Sequence, residues 1–210
     1  MEMTTNLVIH QDALTRLVAA AQQATENSMR RAKFAKGIWT LGDVEDNGGR
    51  YIVHPDQFAH GFTKFKLGKF VEQRMGLATD PMFVLPERPE LGDMDQSQWE
   101  IGPNGKPTDP WVSQQSIPLE DVDSGEWFLF STSSTGGKAA IAKIVHQFTR
   151  NLERGRPIAE LGKDFYKHSK FGRVDTPLFK VVGWTGEARN LAPRTINAPR
   201  TVDMNDHIPF

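Results

Sequence analysis

Apolar positions change their period several times along the chain, and each change predicts an element. Between residues 11 and 30, Leu14, Leu17, Val18 and Ala21 recur at helical spacing with Asp12 near the positive end of the dipole, which predicts an N-terminal amphipathic helix. The basic run Arg30-Arg31-Ala32-Lys33-Phe34-Ala35-Lys36 follows, and Gly37–Leu41 then reads as a strand. Asn47-Gly48-Gly49 predicts a turn, because Asn and Gly tolerate positive φ. Tyr51–His54 is β-branched and aromatic and stops at Pro55, as a strand does. From 60 to 75, Phe62 and Lys64 alternate with Thr63 and Phe65, and Phe70-Val71 returns after Leu67-Gly68, which predicts a hairpin.

Periodicity fades between 80 and 111, where Pro, Gly and acids dominate; that stretch reads as a surface excursion outside the core. A second hairpin is expected from Ser113–Leu119 and Glu126–Phe130 around Asp121–Gly125. The nearly continuous apolar run of its return strand fits burial on both faces, with Trp127 in the core. The long helix, Lys138 to Leu152, is the clearest element, with Ala139, Ile141, Ala142, Ile144, Val145 and Phe148 on its apolar face and Gly155 and Pro157 beyond its end. Strands are expected at Ile158–Leu161 and Leu178–Trp184. From Gly186 the chain carries prolines and no period, which reads as a flexible linker over 186–202 and a disordered tail.

Strands, one long helix, then more strands predict an α+β, mainly β domain over 1–185. The order matches an oligonucleotide/oligosaccharide-binding (OB-fold-like) barrel, in which a helix lies between the third and fourth strands. The 210 residues are enough for one such domain with appendages. No apolar run approaches the roughly 18 residues that a membrane helix needs, and no signal pattern opens the chain. With no cysteine for disulfides or thiolate zinc, a cytoplasmic protein is expected.

The net charge of −1 hides a segregation. Between Asp80 and Glu126, eleven acids face two basic residues, whereas from Lys138 to Arg173 nine basic residues face three acids. The second block could meet phosphates, or the two blocks could pair with each other as solvated surface.

The chain finishes Asp203-Met204-Asn205-Asp206-His207-Ile208-Pro209-Phe210. This resembles the C-terminal tip of bacterial single-stranded DNA-binding proteins, in which a linker leads to several Asp residues and a terminal Ile-Pro-Phe. The resemblance implies a protein, of a phage or a cell, that binds single-stranded DNA in replication, recombination or repair and recruits host enzymes through the tip. Phe210 would fill an apolar pocket while its carboxylate pairs with a basic side chain, Ile208 and Pro209 would shape the peptide, and Asp203 and Asp206 would meet a basic ridge. Asn205 and His207 interrupt an acid run that is denser in the family.

Single-strand binders combine basic grooves with aromatic platforms for bases. The hairpin offers Phe62, Lys64, Phe65, Lys66, Lys69, Phe70 and Arg74; a second group is Trp39 with Lys33 and Lys36; a third is Tyr166 and Phe171 among Lys163, Lys167, Lys170 and Arg173. Ser131–Lys138 lies between strand and helix like a phosphate-binding loop, and Lys138 could meet a DNA phosphate there. The nucleotide pattern, however, needs Gly at Thr132 and Ser or Thr at Ala139, and an ordinary helix cap explains the loop equally. The six histidines are scattered, so no catalytic residue, metal or cofactor is expected. The sequence is compatible with a homo-oligomer. The alternatives to DNA binding are a protein that mimics the tip to divert host enzymes, and a phosphate-loop enzyme.

Overall fold

The computed structural model describes residues 29–102, 105–169 and 172–186. The expected helix over 11–30 falls outside them except at its last residues, where Arg30 already begins a strand. The linker and the tail from 187 also lie outside. Among the described residues the protein is mainly β with one α-helix.

The strands are β1 (Arg30–Ala35), β2 (Ile38–Leu41), β3 (Val44–Glu45), β4 (Arg50–Val53), β5 (Ala59–Lys66) and β6 (Lys69–Leu77), then the short pair β7 (Glu100–Ile101) and β8 (Pro107–Thr108). After them come β9 (Trp111–Asp121), β10 (Trp127–Thr132), the helix α1 (Thr135–Thr149), β11 (Pro157–His168) and β12 (Gly172–Trp184). The basic run at Arg30 is thus a strand: Ala32 and Phe34 point inward while Arg31 and Lys33 point out, and Lys36-Gly37 turns the chain into β2 with φ of 51° and 77°. The main sheet runs β12-β11-β4-β9-β10-β1-β2-β3, with β5 and β6 added along β9. All its pairs are antiparallel except β1 on β10.

β9 is long enough to hold two partners. Its C-terminal half pairs with β4 and its N-terminal half with β5. The break between them is a single 3-10 turn at Pro55–Gln57, where proline has no N–H to offer a ladder. β4 and β5 therefore act as one bent strand. The sheet curls around one core of Trp39, Tyr51, Ile117, Leu119, Phe128, Phe130, Ile141, Ile144, Leu161 and Phe179. It does not close into a barrel, because the β1–β2 hairpin lies along the edge of β10 and no ladder joins it to β11–β12.

Three expectations need correction. First, β10 alternates: Phe128 and Phe130 are buried, whereas Trp127, Leu129 and Ser131 are half-buried on the outer face. Trp127 stacks on His54 with ring centroids 4.3 Å apart, outside the core cluster. Second, α1 starts three residues early and buries a narrower stripe. Gly137, Ala140, Ile141 and Ile144 face the core, while Ala139 and Ala142 are exposed. Ser134 caps it by accepting from the Gly137 amide at 3.0 Å, and a Cβ on Gly137 would collide with the Thr132 hydroxyl. Third, the last two strands are far longer than their apolar patches, forming a hairpin that carries Phe165 and Tyr166 into solvent. The excursion at 80–111 lies on the surface as expected, with Leu91 and, at its end, Trp111 its buried apolar residues among those described.

Candidate nucleic-acid interface

Pairing fixes what the outer face of the sheet presents. Residues opposite each other in an antiparallel pair point to the same side. Across the sheet, Leu77, Ala59, Ser116 and Ser131 therefore form one row; Met75, Gly61 and Gln114 form the next, and Gln73, Thr63 and Val112 a third. In the parallel pair, Arg31 stands beside Leu129. These rows floor a groove of about 620 Å³, bordered by Met29 and Arg31 on one side and by Phe65 and Phe70 at the hairpin end on the other. None of its lining residues is Asp or Glu.

Gly61 lets the floor form. Its φ of 154° is in the region open to glycine, and a Cβ there would strike the Arg74 carbonyl. Thr63, buried beneath the groove, donates to Gln114 Oε1 at 2.5 Å. Arg31 is exposed and makes no ion pair among the described residues; its neighbour Arg30 instead reaches Glu126 at 3.5 Å.

The expected hairpin cluster is split by strand alternation. A bulge between Lys64 and Phe65 sets Phe65 opposite Phe70 on the groove side, with Phe70 60% exposed. Phe62 and Arg74 oppose each other on the far side, where Arg74 pairs with Glu72 at 2.8 Å. Lys64 also turns away from the groove: its ammonium lies 2.8 Å from Asp93 and above the Trp111 ring, and Trp111 Nε1 donates to the same carboxylate at 2.9 Å. The Lys64 hydrogen bond, with that of Trp111, holds Asp93 below the usual carboxylate range. Lys66 and Lys69 are exposed across from each other at the turn.

In the second group, Lys33 is exposed on the outer face and Lys36 at the turn, but Trp39 is a core residue, 4% exposed. Its ring packs on Phe34, Phe130 and Phe179, so no base can stack on it. In the third group, Lys167 opposes Arg173 near the end of the β11–β12 hairpin. The Arg173 guanidinium lies 4.1 Å over Phe165 and bonds Asp175 at 3.0 Å. Lys170 and Phe171 lie outside the described residues. Lys138, in the first turn of α1, donates to Ser113 Oγ at 3.0 Å. Asp203, Asp206, Ile208, Pro209 and Phe210 also lie outside the described residues.

Arg31, Gln73, Met75, Gln114 and Leu129 line the groove without having been singled out from sequence. Strict period-2 reading of β9 and β10 is the signal that finds Gln114 and Leu129, since it separates them, with Ser116 and Ser131, from the core positions between; the other three follow only from the pairing of β1 and β6. Comparison of the chain with protein-family models, with curated proteins and with solved structures finds no match.

Proposed function

We propose that the protein binds single-stranded DNA with little sequence preference along the outer groove, and that Asp203–Phe210 docks DNA-processing enzymes. The observation that carries the first part is the groove itself: an acid-free concavity with exposed aromatic rings at one border and, at the other, an arginine that makes no ion pair among the described residues. Phe65 and Phe70 offer faces for bases, each stack being worth about 1 to 3 kcal/mol. Arg31, with Lys33 beside it on the same strand face, supplies positive charge for the backbone.

The strand succession supports the same reading. With β4 and β5 counted as one bent strand and β6–β8 set aside as an insertion, β9, β10, α1, β11 and β12 follow in the order of an oligonucleotide-binding barrel, opened here by the β1–β2 hairpin. Such barrels bind oligonucleotides on their second and third strands; the corresponding outer faces here are those of β9 and β10. The β11–β12 hairpin, with Phe165, Tyr166 and Lys167, is a second contact for a longer strand. The docking part rests on the acidic Ile-Pro-Phe sequence.

Fluorescence anisotropy with a labelled single strand and its duplex, across a salt series, tests the proposal. Tighter binding of the single strand, weakening steeply with salt, is expected. Equal affinity for the duplex, or no binding to either, would overturn it.

A further inference from the structure

The hydrogen-bonding groups of the groove are unevenly divided between donors and acceptors. Arg31 brings up to five N–H donors and no acceptor. Gln114 has its carbonyl oxygen engaged by the Thr63 hydroxyl at 2.5 Å, which leaves its amide N–H groups for a ligand. Carboxylates, the side chains that only accept, are absent from the lining. Gln73, Ser116 and Ser131 can both donate and accept, so they do not alter the balance. The fixed polar character of the groove is that of a donor.

Bases differ in how they meet such a surface. Guanine presents two adjacent acceptors, O6 and N7, that match the fork of a guanidinium, whereas adenine replaces O6 with an amino donor. An arginine engaged by a carboxylate could not make this distinction, because its fork would be spent. Arg31 is not engaged by a carboxylate among the described residues, and its position beside Leu129 sets it against an apolar wall where a base, not only a phosphate, can lie.

We infer that Arg31 reads guanine in the groove, giving the protein a preference for guanine over adenine on top of its sequence-tolerant binding. The inference rests on the single-strand reading above. Both purines offer a fused ring to the same platforms, and loss of the preference with the Arg31 side chain separates the edge from the ring face.

The test uses the full chain and all-thymine oligonucleotides carrying a short central run of guanine, adenine or hypoxanthine, the last keeping O6 and N7 but lacking the guanine amino group. Expected is a Kd for the guanine strand lower than for the adenine strand by about fivefold or more, with hypoxanthine matching guanine. Arg31→Met removes both the fork and the charge; it should weaken binding of every strand and bring the guanine and adenine Kd values together. Equal Kd values for guanine and adenine strands overturn the inference while leaving single-strand binding intact. So does a guanine preference that survives in Arg31→Met. Failure to bind the all-thymine strand at all removes the underlying reading as well.

Discussion

Trp39 Nε1 donates to the carbonyl oxygen of Gly162 at 2.7 Å, joining residues 123 positions apart. The bond links β2 to β11, which share no ladder, and the indole fills the space between Phe130 and Phe179. The open sheet is thus closed by a side chain where a barrel would be closed by a strand. Placement of Trp39 in this seam is also why it cannot serve as a platform for DNA.

Trp39→Phe should leave the Gly162 carbonyl unpaired and a gap beside Phe179, costing about 1 to 3 kcal/mol; Trp39→Ala should cost about 3 to 5 kcal/mol. Urea unfolding measures both. DNA affinity of the folded Phe variant should be unchanged, and a large loss of affinity with little loss of stability would contradict the core assignment.

Strand alternation in the β5–β6 hairpin gives a sharper expectation for binding. Phe65→Ala and Phe70→Ala remove platforms at the groove border and should each weaken single-strand binding by about fivefold or more. Arg31→Glu should also weaken it and lower the salt slope. Phe62→Ala and Lys64→Gln, on the side held by Asp93, should change affinity much less. If the two sets behave alike in anisotropy titrations, the groove is not the interface.

His54 links stability to pH. The ring is 2% exposed, its Nε2 is 3.1 Å from Glu120 Oε2, and its Nδ1 has no partner among the described residues. Burial pushes its pKa below the ordinary 6.5, the Arg156 cation pushes the same way, and Glu120 and Asp56 oppose them without cancelling. The folded state favours the neutral ring, so the unfolded chain binds more protons below about pH 6.5. Stability conferred above that pH is lost as pH falls through the folded value. Asp56, whose pKa is lowered chiefly by the Arg156 hydrogen bond, contributes its own loss only lower, below the ordinary carboxylate value. Urea midpoints between about pH 7 and pH 5 should fall in the natural protein and stay flatter in His54→Gln; the same slope in both would remove His54 as the cause.

The class of the fold was legible because its signals are local. Gly-rich turns, the Pro55 break and the apolar face of α1 each specify their own neighbourhood. Ends of elements were less so: β11 and β12 run past their apolar patches since each satisfies the other's backbone over twelve paired positions, regardless of which side chains face water. β10 misled for a different reason. Trp127 and Leu129 are apolar, yet they stand on the outer face, Leu129 in the groove and Trp127 against His54. An outer face that carries apolar side chains reads like a core in sequence. Likewise the hairpin's charges looked like one cluster until the pairing of Lys64 with Asp93, 29 residues away in sequence, assigned that cation to the other side.

The acidic segment should be separable from DNA binding. Deleting Asp203–Phe210 leaves the described fold untouched, so the unfolding midpoint should hold. DNA affinity should hold or rise, because the removed carboxylates compete with phosphates for the same cations. Binding to bacterial enzymes that recognise the Ile-Pro-Phe tip should be lost. Phe210→Ala alone should remove most of it, since a buried aromatic anchor typically contributes about 2 kcal/mol or more, roughly thirtyfold in Kd. Adding one residue after Phe210 should harm nearly as much, because it separates the carboxylate from the ring that it accompanies. Competition against a labelled tip peptide reads all three variants on one scale. Undiminished partner binding by the deletion variant would mean that enzymes dock elsewhere, and that the Ile-Pro-Phe sequence plays no part in recruiting them.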